Sequence, residues 1–455
     1  MDRPQELDIR SRWLSGMPGF TVVWLGQFVS LLGTGMTGFA LTIWAWQTTG
    51  SATALALVGL FQFAPTVLMS PIAGALVDRW NRKLVMMLSD LAAGLSTVVV
   101  LILMATGRLE IWHLYVTGAF SGIFQSFQFP AYSAAVTMML QKEQYARANG
   151  MIGLAGSASN IIAPVAAGIF LGYIGTMGIM AFDVVTFMVA IGALLLVHIP
   201  QPPSTGPSQE ERPSLLADSV FGFRYIYERP SLLGLQLVFF SINLIISLSF
   251  PLLAPMILSR TNNNTVILGS VQSAFGVGGV VGGVLMSVWG GPQRRVHGVL
   301  MGMAASSLLG IFTIGLGRGP LIWAFGAFAN MCFIPFVNGS NQAIWQAKVP
   351  PEVQGRVFAT RRLIAQITAP IGMAMAGPLA DWVFGPAMMP GGRLAPIFGW
   401  LVGTGPGTGI SLIFVIAGLI GATVGLSGYA FNSVRNVEVI LPDHDVAVKS
   451  AEVPS

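Results

Sequence analysis

Three carboxylates stand in stretches of this sequence that hold almost nothing else ionisable. They are Asp90 in VMMLSDLAAGL (85–95), Asp183 in AFDVVTF (181–187) and Asp381 in AGPLADWVF (376–384). An acid set among apolar neighbours can take up and release a proton away from bulk water, so intramembrane carboxylates are functional candidates by default. Each also has a plainer reading. Asp90 lies seven residues beyond Lys83, about 10 Å along a helix axis, and can snorkel back to the charges there. Asp183 can cap a helix end or make a structural hydrogen bond, and Asp381 reads as a structural group at an outer rim. Asp183 and Asp90 are therefore the candidates for coupling to protons.

A second cluster is built from opposite charges. In GALVDRWNRK (74–83), Asp78, Arg79, Arg82 and Lys83 fall within six positions, with apolar runs on both sides. Moving such charges into hydrocarbon costs about 2.5–3.5 kcal/mol each. Four of them pin the depth of a short turn between two long helices, and pinning alone is one explanation of the cluster.

A third set mixes amides, hydroxyls and aromatic rings in the middle of apolar segments. It comprises Gln27, Ser30 and Thr34, then Phe124, Gln125 and Phe127, then Phe239, Asn243 and Phe250, and finally Asn330, Phe333 and Asn338. Such residues suit an apolar cavity with a few orienting hydrogen bonds and a bulky amphipathic ligand. Few fixed charges are expected in that lining, which argues against sugar phosphates and nucleotides. Taken singly, each amide also reads as an interhelical hydrogen bond.

Other chemistries lack their residues. Cys332 is the single cysteine, and His113, His198, His297 and His444 are far apart, so neither a thiolate cluster nor a histidine metal box is available. No GxxxxGK[ST] loop occurs, so ATP is not expected as the energy source. No enzyme, cofactor or metal is expected. The net charge of +5 sits in short breaks between apolar runs, as membrane topology arranges it rather than as nucleic acid would require.

The elements that must position these residues are set by the solvent. Only 9% of residues are charged, against about 25% in soluble domains, and the mean hydropathy is +0.72. Apolar runs of membrane-spanning length recur and predict an all-α membrane protein of 12 transmembrane helices. These are expected near 20–46, 54–77, 84–106, 111–136, 148–173 and 177–199, then 232–258, 266–289, 296–316, 320–345, 363–384 and 409–431. The first is too long for a signal-peptide core and lacks a cleavage site, so it reads as retained. Nineteen of the 23 Lys and Arg residues, Arg361 and Arg362 among them, fall in breaks on one side. Arg108, Arg260, Arg318 and Arg393 fall on the other. The positive-inside rule then makes both termini cytoplasmic. The expected organisation is a cytoplasmic N-terminus (1–16), a six-helix bundle (17–199), a linker (200–230), a second six-helix bundle (231–431) and a tail (432–455). In the linker, PPSTGPSQEERP (202–213) is flexible by composition. Leu216, Val220, Phe223 and Tyr227 then recur at the spacing of a helix lying in the membrane interface.

The halves echo each other. Gly74, Leu76 and Trp80 are matched by Gly283, Leu285 and Trp289 at an offset of 209, with Ser287 in place of Asp78. Arg82-Lys83 is matched by Arg294-Arg295, and Glu143 and Arg147 by Glu352 and Arg356. Two pseudo-symmetric bundles with a shared site near mid-membrane are an established transporter plan. The stretch Gly74-x-Leu76-x-Asp78-Arg79-x-x-Arg82-Lys83 resembles the signature of the major facilitator superfamily between its second and third helices. It departs at Asn81, where that family usually has glycine; asparagine tolerates a left-handed backbone next best, so the turn is expected to survive. The resemblance implies a conformational latch with Asp78 as its acid, Arg79, Arg82 and Lys83 as its bases, and Arg294 and Arg295 in the counterpart turn. VPPEVQGRVFA (349–359), AGPLADWVF (376–384), GTGPGTG (403–409) and VRNVEVILPD (434–443) resemble the branch of macrolide-efflux and siderophore-export carriers. Ala163, Pro164 and Gly168 resemble a helix-bending motif of antiporter branches with some glycines replaced, and close packing explains them equally well. No arginine occurs in 111–136, so the coupling scheme of drug/proton antiporters that carry one there does not transfer.

The sequence thus predicts a secondary exporter of hydrophobic or amphipathic small molecules, of drug, macrolide or siderophore type. The resemblance implies protons as the coupling ion, which the residues by themselves do not show, and the lipid bilayer is the expected solvent. The setting is the plasma membrane of a prokaryote, the chain acting as a monomer without nucleic acid. A membrane sensor or scaffold that binds ligand without moving it is the alternative, and a metabolite importer is another.

Overall fold

A computed structural model describes residues 15–77, 80–200 and 215–443, and every regular element among them is helical. Asp78, Arg79, the 202–213 stretch of the linker and the last twelve residues lie outside the described residues. The chain divides into two compact units, Met1–Gly50 with Leu57–Gly206 and Ser51–Ala56 with Pro207–Ser455.

The first unit contains α1 (Gly16–Thr49), most of α2 (Ala52–Val77), α3 (Arg82–Ala105), α4 (Ile111–Met139) and α5 (Tyr145–Leu196). Local chemistry sets their ends. The left-handed Gly50 (φ 60°) closes α1. A reciprocal box between Glu110 and His113 opens α4. Asn81 opens α3, its side chain accepting from the Leu84 amide. With φ −63° and ψ 111° it is an extended N-cap residue, which corrects the expectation of a left-handed turn. Asparagine serves here because its short carbonyl reaches the free amides of a helix start.

A single 52-residue span is assigned to α5, but Gly175 at φ 64°, ψ −179° breaks it. This backbone is open to glycine and strained for other residues. The break falls between the two expected crossings. Pro164 sits in the helix with no interruption of it. Ala163 packs against α1 so closely that a Cβ at Gly35 would stand 2.8 Å from its methyl.

The face α3 presents outward is apolar. Leu84, Leu88, Leu91, Leu95, Val99 and Ile102 recur every three or four residues and are all exposed, whereas Val85, Met86, Ser89, Ala92 and Val100 are buried. An apolar stripe turned out of the protein is what a hydrocarbon solvent selects. Among the described residues, ten helical stretches are long and apolar enough to cross a membrane. The Arg147–Leu196 stretch contains the Gly175 break, and α4 is not among the ten. Twelve crossings therefore require counting both arms of α5 and adding α4.

The second unit contains α6 (Leu215–Tyr227), α7 (Pro230–Ser249), α8 (Leu253–Arg260), α9 (Thr265–Trp289), α10 (Arg295–Ala305) and α11 (Thr313–Leu316). These are followed by α12 (Pro320–Lys348), α13 (Pro351–Gln366), α14 (Thr368–Pro378), α15 (Gly385–Met388), α16 (Ala395–Val402), α17 (Thr408–Ser427), α18 (Asn432–Arg435) and α19 (Val437–Ile440). The expected helix at 232–258 is divided by a 3₁₀ turn at Phe250–Leu252 containing Pro251. The one expected at 363–384 starts a dozen residues earlier, because Pro351 supplies the preset φ and missing donor of a first helical position. Its last part, Leu379–Phe384, is π-helical, as is Ser306–Phe312 between α10 and α11. On α9, Gly278 and Gly282 lie against the carbonyls of Phe328 and Cys332 of α12, where a Cβ would collide.

On α6, Phe223 and Tyr227 are exposed while Tyr225 and Ile226 are buried, and Gly222 touches Thr360. The tail packs from its start. Glu438 accepts from the Val296 amide at the start of α10 (3.1 Å). Lys348 donates to the Glu438 carbonyl (2.8 Å), the Leu441 carbonyl and Asp443 (2.7 Å).

Candidate functional site

Both coupling candidates are held in the first unit by neutral donors. Asp183, on the second arm of α5, is 3% exposed. Thr34 of α1 donates to its Oδ1 (3.2 Å) and Thr97 of α3 to its Oδ2 (3.1 Å). Gly33 makes room for this arrangement: a Cβ there would collide with Thr186 Oγ1 and stand 2.9 Å from Asp183 Oδ1. Asp90, on α3, accepts from Gln27 of α1 (2.7 Å) and Gln128 of α4 (2.9 Å). Gln128 also donates to Gln27 Oε1 (3.1 Å), and its own Oε1 is buried with no partner among the described residues. Neither acid is in an ion pair among the described residues.

This differs from the plainer reading of Asp90. Lys83 spends its ammonium on the carbonyls of Leu195 (3.2 Å) and Val197 (2.8 Å), capping the end of α5. Asp90 answers to two amides instead. Hydroxyls can donate or accept, and an amide offers both. Such surroundings accommodate a carboxylate and a carboxylic acid by rotating rather than by rebuilding.

Asp381 has a different task. It accepts from Ser51 Oγ (2.7 Å), Ala52 N (3.1 Å) and Thr53 N (2.8 Å), and so caps the first turn of α2, the part of that helix that belongs to the second unit. A carboxylate there satisfies free amides and faces the positive end of the helix.

The second unit holds a cavity of about 620 Å³. Phe239, Asn243, Phe250, Asn330 and Asn338 line it, and Phe333 is not among its lining residues. Asn243 donates to the Phe239 carbonyl (2.8 Å). Asn330 donates to Ser306 Oγ (3.0 Å), and Ser306 returns a bond to the Asn330 carbonyl (3.0 Å). The π-helical turn brings Gly310 so near α12 that a Cβ would stand 2.5 Å from that of Asn330.

Polar lining residues that escape the sequence reading include Gln236, Asn341, Gln342 and Arg361. Arg361 and Arg362 both line the cavity, which corrects the expectation of few fixed charges. Charge counting placed them in a cytoplasmic break, but α13 begins at Pro351, so Arg361 stands about 15 Å into a helix. A Pro-Pro step before an amphipathic run was the available signal.

The remaining named residues are placed as follows. Gln27 and Thr34 bond the two acids, as above. Ser30 is half-buried and Gln125 exposed. Phe124 packs on Phe120 (ring centroids 5.0 Å), and buried Phe127 stacks on Trp80 (6.2 Å). Of the loop residues, Gly74 ends up in α2 and Arg82 at the start of α3. In the counterpart turn Arg294 stands at the N-cap position of α10 without a side-chain capping bond, and Arg295 donates to the Ala343 carbonyl (3.1 Å).

Residues 23–373 match the family model described as Major Facilitator Superfamily. Macrolide efflux protein A of Streptococcus pyogenes is 27% identical over 370 residues, 80% of this chain and 89% of that protein. Enterobactin exporter EntS of Escherichia coli (strain UTI89 / UPEC) is 24% identical over 348 residues, 75% of this chain and 80% of that one. Among solved structures, a bacterial homolog of the human lysosomal transporter Spinster, inward-facing and unoccupied, superimposes with a TM-score of 0.64 at 16% identity. It covers 90% of this chain and 97% of its own. That likeness concerns the fold.

Proposed function

The chain belongs to the major facilitator superfamily, a family of multi-pass membrane transporters, and from that premise we propose that it is a proton-linked exporter of bulky amphipathic small molecules. Its place is the plasma membrane of a prokaryote, with both termini cytoplasmic by the asymmetry of Lys and Arg. The observation that carries the reading is the pair of membrane-embedded acids. Asp90 and Asp183 are each hydrogen-bonded by neutral groups, and neither is in an ion pair among the described residues. A carboxylate neutralised by a permanent cation has no need of a proton; one held by amides or hydroxyls can gain and lose it. The aromatic and amide lining of the second unit's cavity favours an amphipathic cargo. The efflux proteins among the relatives support the outward direction.

Transport then proceeds by alternating access. The loop at 74–83 and its counterpart at 287–295 act as latches, and proton binding at Asp183 or Asp90 is linked to the exchange between states. The test is proton movement in everted vesicles energised to an acidic interior. Addition of a macrolide or of enterobactin is expected to release protons from vesicles containing the protein and not from vesicles lacking it. If neither cargo moves protons while both are still accumulated, proton linkage is wrong.

A further inference from the structure

Arg361 presents a cation to the cavity of the second unit, and no carboxylate among the described residues is paired with it. None of the residues lining that cavity is acidic. The ion pairs of the described residues are Arg224–Glu228 and Lys348–Asp443, neither of which involves it. Its guanidinium donates to Gln342 Oε1 (3.0 Å) and lies over the rings of Trp345 (5.2 Å) and Phe358 (5.8 Å). These partners hold the side chain in place and leave its charge intact. Guanidinium has five donors, and a cation in apolar surroundings is costly unless paired. Arg362, the next residue, also lines the cavity. A second observation points the same way: Asn341 is 2% exposed, lines the cavity, and has an amide oxygen with no hydrogen-bond partner among the described residues.

We propose that Arg361, set by Gln342, is the anion-recognising residue of this cavity, and that the cargo is an amphipath carrying a carboxylate or similarly acidic group beside a hydrogen-bond donor. The acidic group meets the Arg361 guanidinium, the donor meets Asn341, and the aromatic side chains cover the apolar body. This rests on the reading of the cavity as the cargo site and narrows the cargo from amphipaths in general to anionic ones. Basic amphipaths are disfavoured by the same charge.

The experiment uses the full chain in lipid nanodiscs and three fluorescent probes of one shape: 9-anthracenecarboxylate, 9-anthracenecarboxamide and 9-(aminomethyl)anthracene. The carboxylate is expected to bind about tenfold more tightly than the carboxamide, the difference between a charge-assisted hydrogen bond and a neutral one. The amine is expected to bind least. Arg361→Gln should remove the preference, so that the carboxylate binds no more tightly than the carboxamide. Gln342→Glu, which supplies Arg361 with an internal carboxylate at nearly unchanged shape, should remove it too, and serves should the arginine variant fail to fold. Carboxylate binding that is absent, no tighter than carboxamide binding, or unaltered in the variants overturns the proposal. The outcome is separable from the exporter reading, since it is measured as binding. Selective binding without transport in vesicles would sink export and leave the recognition standing.

Discussion

At the scale of single residues, the account turns on how two acids are held. Asp183 sits between Thr34 and Thr97, and Asp90 between Gln27 and Gln128. Asparagine reproduces the shape of either side chain and cannot carry a proton. Asp183→Asn is therefore expected to abolish proton release on cargo addition in everted vesicles while the protein still reaches the membrane; unchanged release removes Asp183 from coupling. The space beside Asp183 is equally specific. Gly33→Ala would drive a methyl into Thr186 and towards the carboxylate, and overpacking of this kind costs about 1–3 kcal/mol. A lowered thermal midpoint in detergent is expected, and an unaltered one would contradict the packing. The acids were legible in the sequence, because a charge in an apolar run is conspicuous. Gln128 was not, since nothing distinguishes it from Gln125 three residues earlier until α4 is placed against α1 and α3. Arg361 looks like a loop charge in the sequence because position along the chain assigns it to a surface, which a helix starting at Pro351 defeats.

At the scale of elements, helix ends decide what the chain can do locally. Asn81 caps α3 and Asp381 caps α2. Asn81→Ala should cost about 1 kcal/mol, as loss of an N-cap does, seen as a lower unfolding midpoint, and Asn81→Asp should retain most of it. An Asn81→Ala variant as stable as the parent would mean that the cap contributes nothing. Gly175 marks the other kind of end. With φ 64° and ψ −179°, substitution by alanine costs about 1–3 kcal/mol of backbone strain, or straightens the join between the two arms of α5. Amide protection across 173–177 separates these outcomes: local exposure is expected, and continuous helical protection would show the break to be dispensable. The crossings themselves were readable from apolar length, which is why most expected helices fall near observed ones. The breaks inside them were not. In a chain with 55 glycines, Gly175 carries no mark, and the π-helical turn at Ser306–Phe312 depends on what packs beside it. Whether Asn81 is a cap or a left-handed turn is likewise fixed by the helix that follows it.

At the scale of the whole molecule, two compact units carry different equipment. The first has the buried acids, and the second has the aromatic cavity with Arg361. In the proposed cycle proton binding in one unit and cargo binding in the other are linked through exchange between access states, which requires each ligand to favour one state over the other. The reciprocity is testable: if protons alter cargo affinity, cargo must alter proton affinity by the same factor. The most direct measurement places the purified chain in proteoliposomes, imposes a pH gradient of either sign, and follows enterobactin across the bilayer. The account predicts accumulation on the acidic side, reversing with the gradient and collapsing when a protonophore dissipates it. Equal distribution under both gradients, or accumulation indifferent to the protonophore, would contradict it.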